Sequence, residues 1–212
     1  MATKKWYSLA DKVWNPQNLA RAAAAVLANQ GRAGVDHQSG GHFAEHLQEE
    51  LLTLGPWMRE HRYHPLPVRR VYIPKPGTKK RRPLGIPTVR DRVAQQAVRQ
   101  ILEPIWEPTF SPDSYGFRPQ RSAQEAVQRL YGHLEEGYLW VVDADIQNFF
   151  GTIDQTLLLD QVAERVSDGT VLRWLRDMLQ AGVLEDGVAQ PTDVGTPQGG
   201  LCKALHSPPY AK

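Results

Sequence analysis

The stretch VVDADIQNFF, residues 141–150, constrains the fold more than any other. With Tyr138, Leu139 and Trp140 before it, it alternates with a period of two. Trp140, Val142, Ala144 and Ile146 form one apolar face. Leu139, Val141, Asp143 and Asp145 form the other, which turns acidic at its end. The spacing predicts a strand over residues 138–146 with both carboxylates on one side. Carboxylates at a strand end can bind Mg²⁺, a hard cation that takes oxygen ligands and bridges to phosphates. Two such ions clamp the attacking and leaving oxygens in phosphoryl transfer. A solvated strand end that caps a turn would carry the same two acids, and short acidic motifs are common. Phe149 and Phe150 read as core residues on pattern alone.

The elements around this strand mix without a βαβ rhythm, which predicts an α+β fold. Asn15-Pro16 reads as a cap and first helical position, opening a helix to about Gln30. A second helix is predicted over residues 42–54, with Phe43, Leu47, Leu51 and Leu52 inward and Gly55-Pro56 as its stop. Residues 68–73 and RRPLGIP form the strands of a hairpin around PKPGTKK. Thr88 caps a helix over 89–102, with Val93, Ala97 and Ile101 on one face. SPDSYGFRPQ is loop, and Ser122 with Glu125 forms a capping box for a helix to about His133. Helices are predicted over 155–166 and 170–180, and a small hairpin over 183–190 around Glu185-Asp186-Gly187. GTPQGG, residues 195–200, is a tight loop whose glycines let backbone approach a ligand or simply turn.

Length and charge narrow the function classes. The chain has 212 residues, enough for a sizeable core, with 41% hydrophobic and 23% charged residues, the balance of a soluble globular protein. One cysteine, Cys202, excludes an internal disulfide framework and a cysteine-based zinc site. The seven histidines show no metal-ligand spacing, and Ser114 and Ser122 have no partners for a nucleophilic triad. There is no signal-peptide core, and the longest small-apolar run, AAAAVLA, is too short to span a bilayer. The expectation is a cytoplasmic protein with no membrane partner. Net charge is only +2, yet Arg69, Arg70, Lys75, Lys79, Lys80, Arg81 and Arg82 cluster with no acid among them. Such a cluster suits a polyanion, and it also suits a solvated hairpin rim.

Four motifs in order are far more specific than any one of them. VRRVYIPKPGTKKRRPLGIPTVRDRVAQQAVRQILEPIWEP, SYGFRPQRSAQEAV, VVDADIQNFFGTID and GTPQGG resemble the N-terminal half of a group II intron-type reverse transcriptase, the family that includes intron-encoded maturases. The segment at Gly31 to Asp36 resembles part of the family's N-terminal extension. The resemblance covers about residues 10–200. It implies a partial right-hand polymerase fold: N-terminal extension over 1–60, fingers over 61–137, an incomplete palm with fingers elements over 138–200, and a non-family tail over 201–212.

The resemblance also implies roles. Asp145 matches the first catalytic, metal-binding aspartate, and Ile146 would offer its backbone carbonyl to Mg²⁺; Asp143 matches less securely. Phe150 matches the aromatic under the incoming sugar, and Gln198 the glutamine beside the nascent base pair. Lys80, Arg81 or Arg82 would meet the dNTP triphosphate. Lys75, Lys79 and Arg118 would face RNA template or intron RNA, with Arg118 organising the fingers. Two departures stand out. Gly151 replaces a frequent aspartate, and the YxDD motif that completes the family's metal site occurs nowhere in the sequence. The expectation is a truncated reverse transcriptase, inactive alone, which a separate C-terminal half could complement. The competing readings are an RNA-binding maturase fragment and a functionless mobile-element remnant. An unfinished palm would leave residues 138–146 poorly paired and apolar faces open.

Overall fold

The computed structural model describes residues 5–74 and 77–196. Lys75, Gln198 and the 201–212 tail lie outside them. A short helix, α1 (Ala10–Val13), leads into α2 (Pro16–Ala28). The Asn15 side chain accepts from the Gln17 N–H at 2.9 Å, so the predicted cap is present. The predicted second helix is two. α3 (Gly40–Glu45) stops at His46, and α4 (Leu47–Arg59) runs on through Gly55 and Pro56. Pro56 is exposed while Leu54 and Met58 beside it are fully buried, and that burial holds the last turn although proline supplies no N–H. The restart at residue 47 changes the helical phase. Phe43 is buried and Leu47 and Leu51 pack on the core, but Leu52 is 67% exposed instead of facing inward.

β1 (Val68–Pro74) and β2 (Arg81–Ile86) form the predicted antiparallel hairpin. β2 leads directly into α5 (Val89–Trp106), where the Thr88 side chain accepts from the Asp91 N–H. α5 is one turn longer than predicted, because Leu102, Ile105 and Trp106 around Pro104 are buried. Both halves of the Ser122–Glu125 capping box open α6 (Ala123–Glu135). Then follow α7 (Phe149–Thr152), α8 (Gln155–Ala163), α9 (Gly169–Gln180), and the hairpin of β3 (Val183–Glu185) and β4 (Val188–Gln190). The sheet order is β2-β1-β3-β4. The parallel pairing of β1 with β3, Val68 opposite Val183, joins two hairpins that the sequence presents as separate.

Residues 138–146 form no strand, against expectation. The alternation is present but the ladder is not: a strand needs a neighbour to take its N–H and C=O groups, and among the described residues none runs beside it. Trp140 is 97% exposed.

The core is built on α5. Val89, Val93, Ala94, Ala97, Val98 and Leu102 are fully buried, packed in one cluster with Leu19, Ala22 and Ala23 of α2. Fully burying a valine or leucine contributes roughly 1.5–3 kcal/mol. Asn18, buried in this contact, donates to the Val13 and Ala97 carbonyls and accepts from Gln100, so its polarity is satisfied. The 31–36 segment lies against the start of α5. A Cβ on Gly34 would stand 2.6 Å from the Thr88 backbone, so only glycine fits there. Asp91 accepts from Tyr63 Oη and Thr88 Oγ1 at 2.8 Å each and from the Leu66 N–H at 3.1 Å; burial still pushes its carboxyl above the usual range.

The N-terminus is strapped to a distant turn. The Trp6 N–H donates to Arg165 O, and the Ser167 N–H donates to Trp6 O. Asp168 then accepts from the N–H groups of Leu9 and Ala10 on one oxygen and of Thr170 and Val171 on the other. Partial burial pushes its carboxyl up, but these four donors outweigh that and hold it below the usual range. A lowered folded pKa means stability that is present above the unfolded value of about 4 and lost as pH falls through the folded one. Asp168→Ala is therefore expected to lower unfolding free energy at pH 7 by about 1–2 kcal/mol. In urea titrations its difference from the unsubstituted chain should narrow as pH falls below about 4.

Candidate nucleotide and nucleic-acid site

The basic cluster divides into two groups. Arg69 Nη2 donates to the Ala33 carbonyl at 2.6 Å, which fixes the base of the hairpin to the N-terminal segment. Arg70 stands 3.9 Å from Glu185, which also accepts from Tyr72 Oη; that hydrogen bond raises the Tyr72 pKa. These two arginines are half-buried against the scaffold, where the sequence cluster had left polyanion binding and a solvated rim both open. Lys79, Lys80, Arg81 and Arg82 are exposed at the tip. Arg82 pairs across with Ile73 and Arg81 with Pro74. Adjacent strand residues point to opposite faces, so a phosphate chain lying on one face meets one of these two arginines, not both.

Arg118 is only 6% exposed in its side chain. Its Nε and Nη2 donate to Glu107, Nη1 donates to the Ser111 and Ser114 carbonyls, and its guanidinium lies over the Phe110 ring. Those bonds order the SPDSYGFRPQ loop and turn the fork inward, away from solvent.

The FFG turn and the glycine loop are brought together. Phe149 and Phe150 stack edge to face at 5.4 Å at the start of α7. The Thr196 N–H donates to Phe150 O and the Gly195 N–H to Ile153 O, both at 2.8 Å. Gly195 has φ +81°, and a Cβ there would stand 2.9 Å from the carbonyls of Phe150 and Gly151. Its close approach is therefore to its own chain, not to a ligand, at the residues described. Gln198 falls outside them. Gln155 anchors this joint: its buried amide donates to the carbonyls of Leu179, Thr192 and Gly195. Sequence reasoning missed Gln155. The available signal was a polar residue sharing a helical face with Leu158 and Val162, both buried.

Asp143, Asp145 and Ile146 stand exposed on the unpaired segment. Among the described residues no hydrogen bond or ion pair joins Asp145 to the basic hairpin. No three His, Cys, Asp or Glu side chains among them gather where a metal ion could sit. Two acids and one carbonyl on a single unbraced segment do not fit a two-ion centre, which needs oxygens held in place on both sides. No described helix is long and apolar enough to cross a membrane.

Comparison with known proteins places this geometry. Residues 73–204 match the reverse transcriptase (RNA-dependent DNA polymerase) family, and the chain belongs to it. Its branch is the group II intron type, with the maturases. It is 38% identical over 201 residues to Protein YkfC of Escherichia coli (strain K12), covering 92% of this chain and 52% of that protein. It is 40% identical over 185 residues to the group II intron-encoded protein LtrA of Lactococcus lactis subsp. cremoris, covering 85% of this chain and 30% of that protein. The chain thus spans about half the length of one relative and under a third of the other. A solved partial Cas6-RT-Cas1–Cas2 complex matches 94% of this chain and 33% of that one with TM-score 0.62 at 20% identity, which shows a shared fold.

Gln155→Met keeps side-chain length and removes both donors, leaving buried carbonyls unsatisfied at a cost of about 1–3 kcal/mol. Amide exchange at Gly195 and Thr196 is expected to speed up more than at Trp174 in the core of α9. Equal protection at all three sites would show that Gln155 does not hold the joint.

Proposed function

We propose that this chain supplies the fingers and the first palm residues of an RNA-directed DNA polymerase, grips RNA through the hairpin tip, and does not polymerise as these 212 residues alone. The observation that carries the reading is the exposed tetrad Lys79, Lys80, Arg81 and Arg82, projecting within the family-matched segment. Exposed lysine and arginine displace condensed counterions from phosphates, which gives affinity without base readout. RNA template or intron RNA is the partner this supports, with shape and phosphate contacts dominating.

The family and the geometry support the other proposed roles. One of Lys80, Arg81 and Arg82 meets the dNTP triphosphate, and Lys75 and Lys79 add to the RNA-facing charge. Phe150 sits under the sugar, with Gln198 beside the base pair; the Thr196–Phe150 hydrogen bond supports placing these two elements together. Arg118 orders the loop beneath the template path. Asp145 is the first catalytic carboxylate, with the Ile146 carbonyl as a second Mg²⁺ oxygen. Because these donors do not make a complete ion centre, no chemical step is assigned through the metal. The sequence contains no YxDD to add the remaining carboxylates.

Two measurements test this. In filter binding to structured RNA, affinity is expected to fall steeply with salt, and reversing all four tip charges to glutamate should weaken it at least ~10-fold and flatten the salt slope. An unchanged affinity would remove the tip from the reading. In primer extension on RNA with Mg²⁺, the 212-residue chain is expected to give no product. Extension that Asp145→Asn abolishes would overturn the proposed incompleteness.

A further inference from the structure

A cavity of about 800 Å³ opens where residues 36–39, Trp57 of α4, residues 63–66 and the start of α5 meet. Its size falls within the roughly 300–1,000 Å³ of small-ligand sites. It shares no lining residue with the hairpin tip, the Phe150 joint or Asp145. Its floor is closed: Tyr63 and Thr88 both donate to the buried Asp91, so these polar groups are satisfied without a ligand. Its wall is fixed by a chain of contacts. Gln38 Nε2 donates to Glu50 at 2.7 Å, Arg90 donates twice to Glu50, and the Arg90 guanidinium lies over the Trp57 ring at 5.0 Å. Two planar groups are thereby in place before anything binds. The rim carries His37, His42 and His64, whose exposed imidazoles make no hydrogen bond among the described residues.

The lining selects the occupant. No three metal-ligating side chains converge among the described residues, so these histidines do not form a metal centre. The Arg90 charge is paired with Glu50, and Asp36 adds a negative charge to the rim. Phosphate therefore gains little here, in contrast to the hairpin tip. What remains is planar surface from Trp57, Arg90 and the histidines, the groups that stack unpaired RNA bases. Asp36 is exposed, and its Oδ1 accepts the Gln38 N–H at 3.2 Å, which leaves Oδ2 for a ligand. A carboxylate accepts and cannot donate. Guanine is the base that sets two donors, its ring N–H and its amino group, side by side on its pairing edge.

Resting on the reading of the chain as an RNA binder, we infer that this cavity takes one unpaired guanine, stacked against its planar lining and held at its edge by Asp36. The guanine belongs to an RNA strand or to a free ribonucleotide. The contact reads a base, which the charged tip does not, and it draws on stacking and hydrogen bonds that salt screens little.

NMR titration of the 212-residue chain with guanosine 5′-monophosphate tests the cavity by itself. Shifts are expected at the Trp57 indole and at the amides of residues 36–39 and 64, and not at Lys79 to Arg82. The adenosine, cytidine and uridine monophosphates are expected to bind at least ~10-fold more weakly. Asp36→Asn keeps the oxygen that accepts from Gln38, so the thermal transition should not move while the preference for guanine disappears. In filter binding, a hairpin RNA with one unpaired loop guanine should bind at least ~10-fold more tightly than its adenine counterpart, with the same salt slope. Shifts with the monophosphate while the two RNAs bind alike would assign the site to a free nucleotide. No shift together with no discrimination between the RNAs overturns the inference. So does binding without base preference, or a guanine preference that survives Asp36→Asn. A guanine preference that persists while reversing the tip charges leaves RNA affinity unchanged would keep the cavity and remove the proposed grip.

Discussion

The contact between α2 and α5 is the constraint on which the rest of the structure depends. Ala22, Ala23, Ala94 and Ala97 are fully buried, and small side chains let the helices approach closely. The Asn18 amide bridges from α2 to the Ala97 carbonyl and fixes the register of the pair. The start of α5 receives the Gly34 segment and the Asp91 hydrogen bonds, and β2 enters it directly. The hairpin is consequently rigid at its root, where Arg69 ties to Ala33, and open at its tip. A basic tip on a rigid root can present charge to a polyanion without reorganising the fold.

Much of this was legible because local chemistry and tertiary packing agree. Asn15, Thr88 and Ser122 all cap the helices their sequence context announces. Glu185-Asp186-Gly187 turns the small hairpin, with Asp186 and Gly187 at positive φ. Proline misled once. Gly55-Pro56 looks like a helix stop, but buried neighbours outweigh a lost N–H near a helix end, as they also do where α5 runs through Pro104. The reverse failure befell residues 138–146, whose alternation is that of a strand. Strand identity belongs to a pair of segments, and periodicity in one cannot disclose whether its neighbour is present.

The candidate site shows the same division. The joint of Phe150, Gly195 and Gln155 is held by backbone hydrogen bonds and by the buried Gln155 amide, and its arrangement follows from this chain's own residues. No motif pointed to Gln155, because its partners are carbonyls, which every residue type supplies. Arg69, Arg70 and the tip residues look alike in sequence, and only the fold separates scaffold arginines from presented ones. The acids of VVDADIQNFF, proposed as the start of a metal site, stand exposed on a segment with no paired neighbour among the described residues.

The Asp168 clamp has a consequence for how the molecule comes into being. Its partners Leu9 and Ala10 lie 159 and 158 residues upstream, so four-fifths of these 212 residues must be synthesised before this clamp can close. Contacts of such separation form after local ones, once loop-closure entropy has been overcome. On the ribosome α2 and α5 can pair early, while the N-terminal strap waits for α9 to emerge. The strap from Trp6 to Ala10 is thus among the last parts of the fold to find its place.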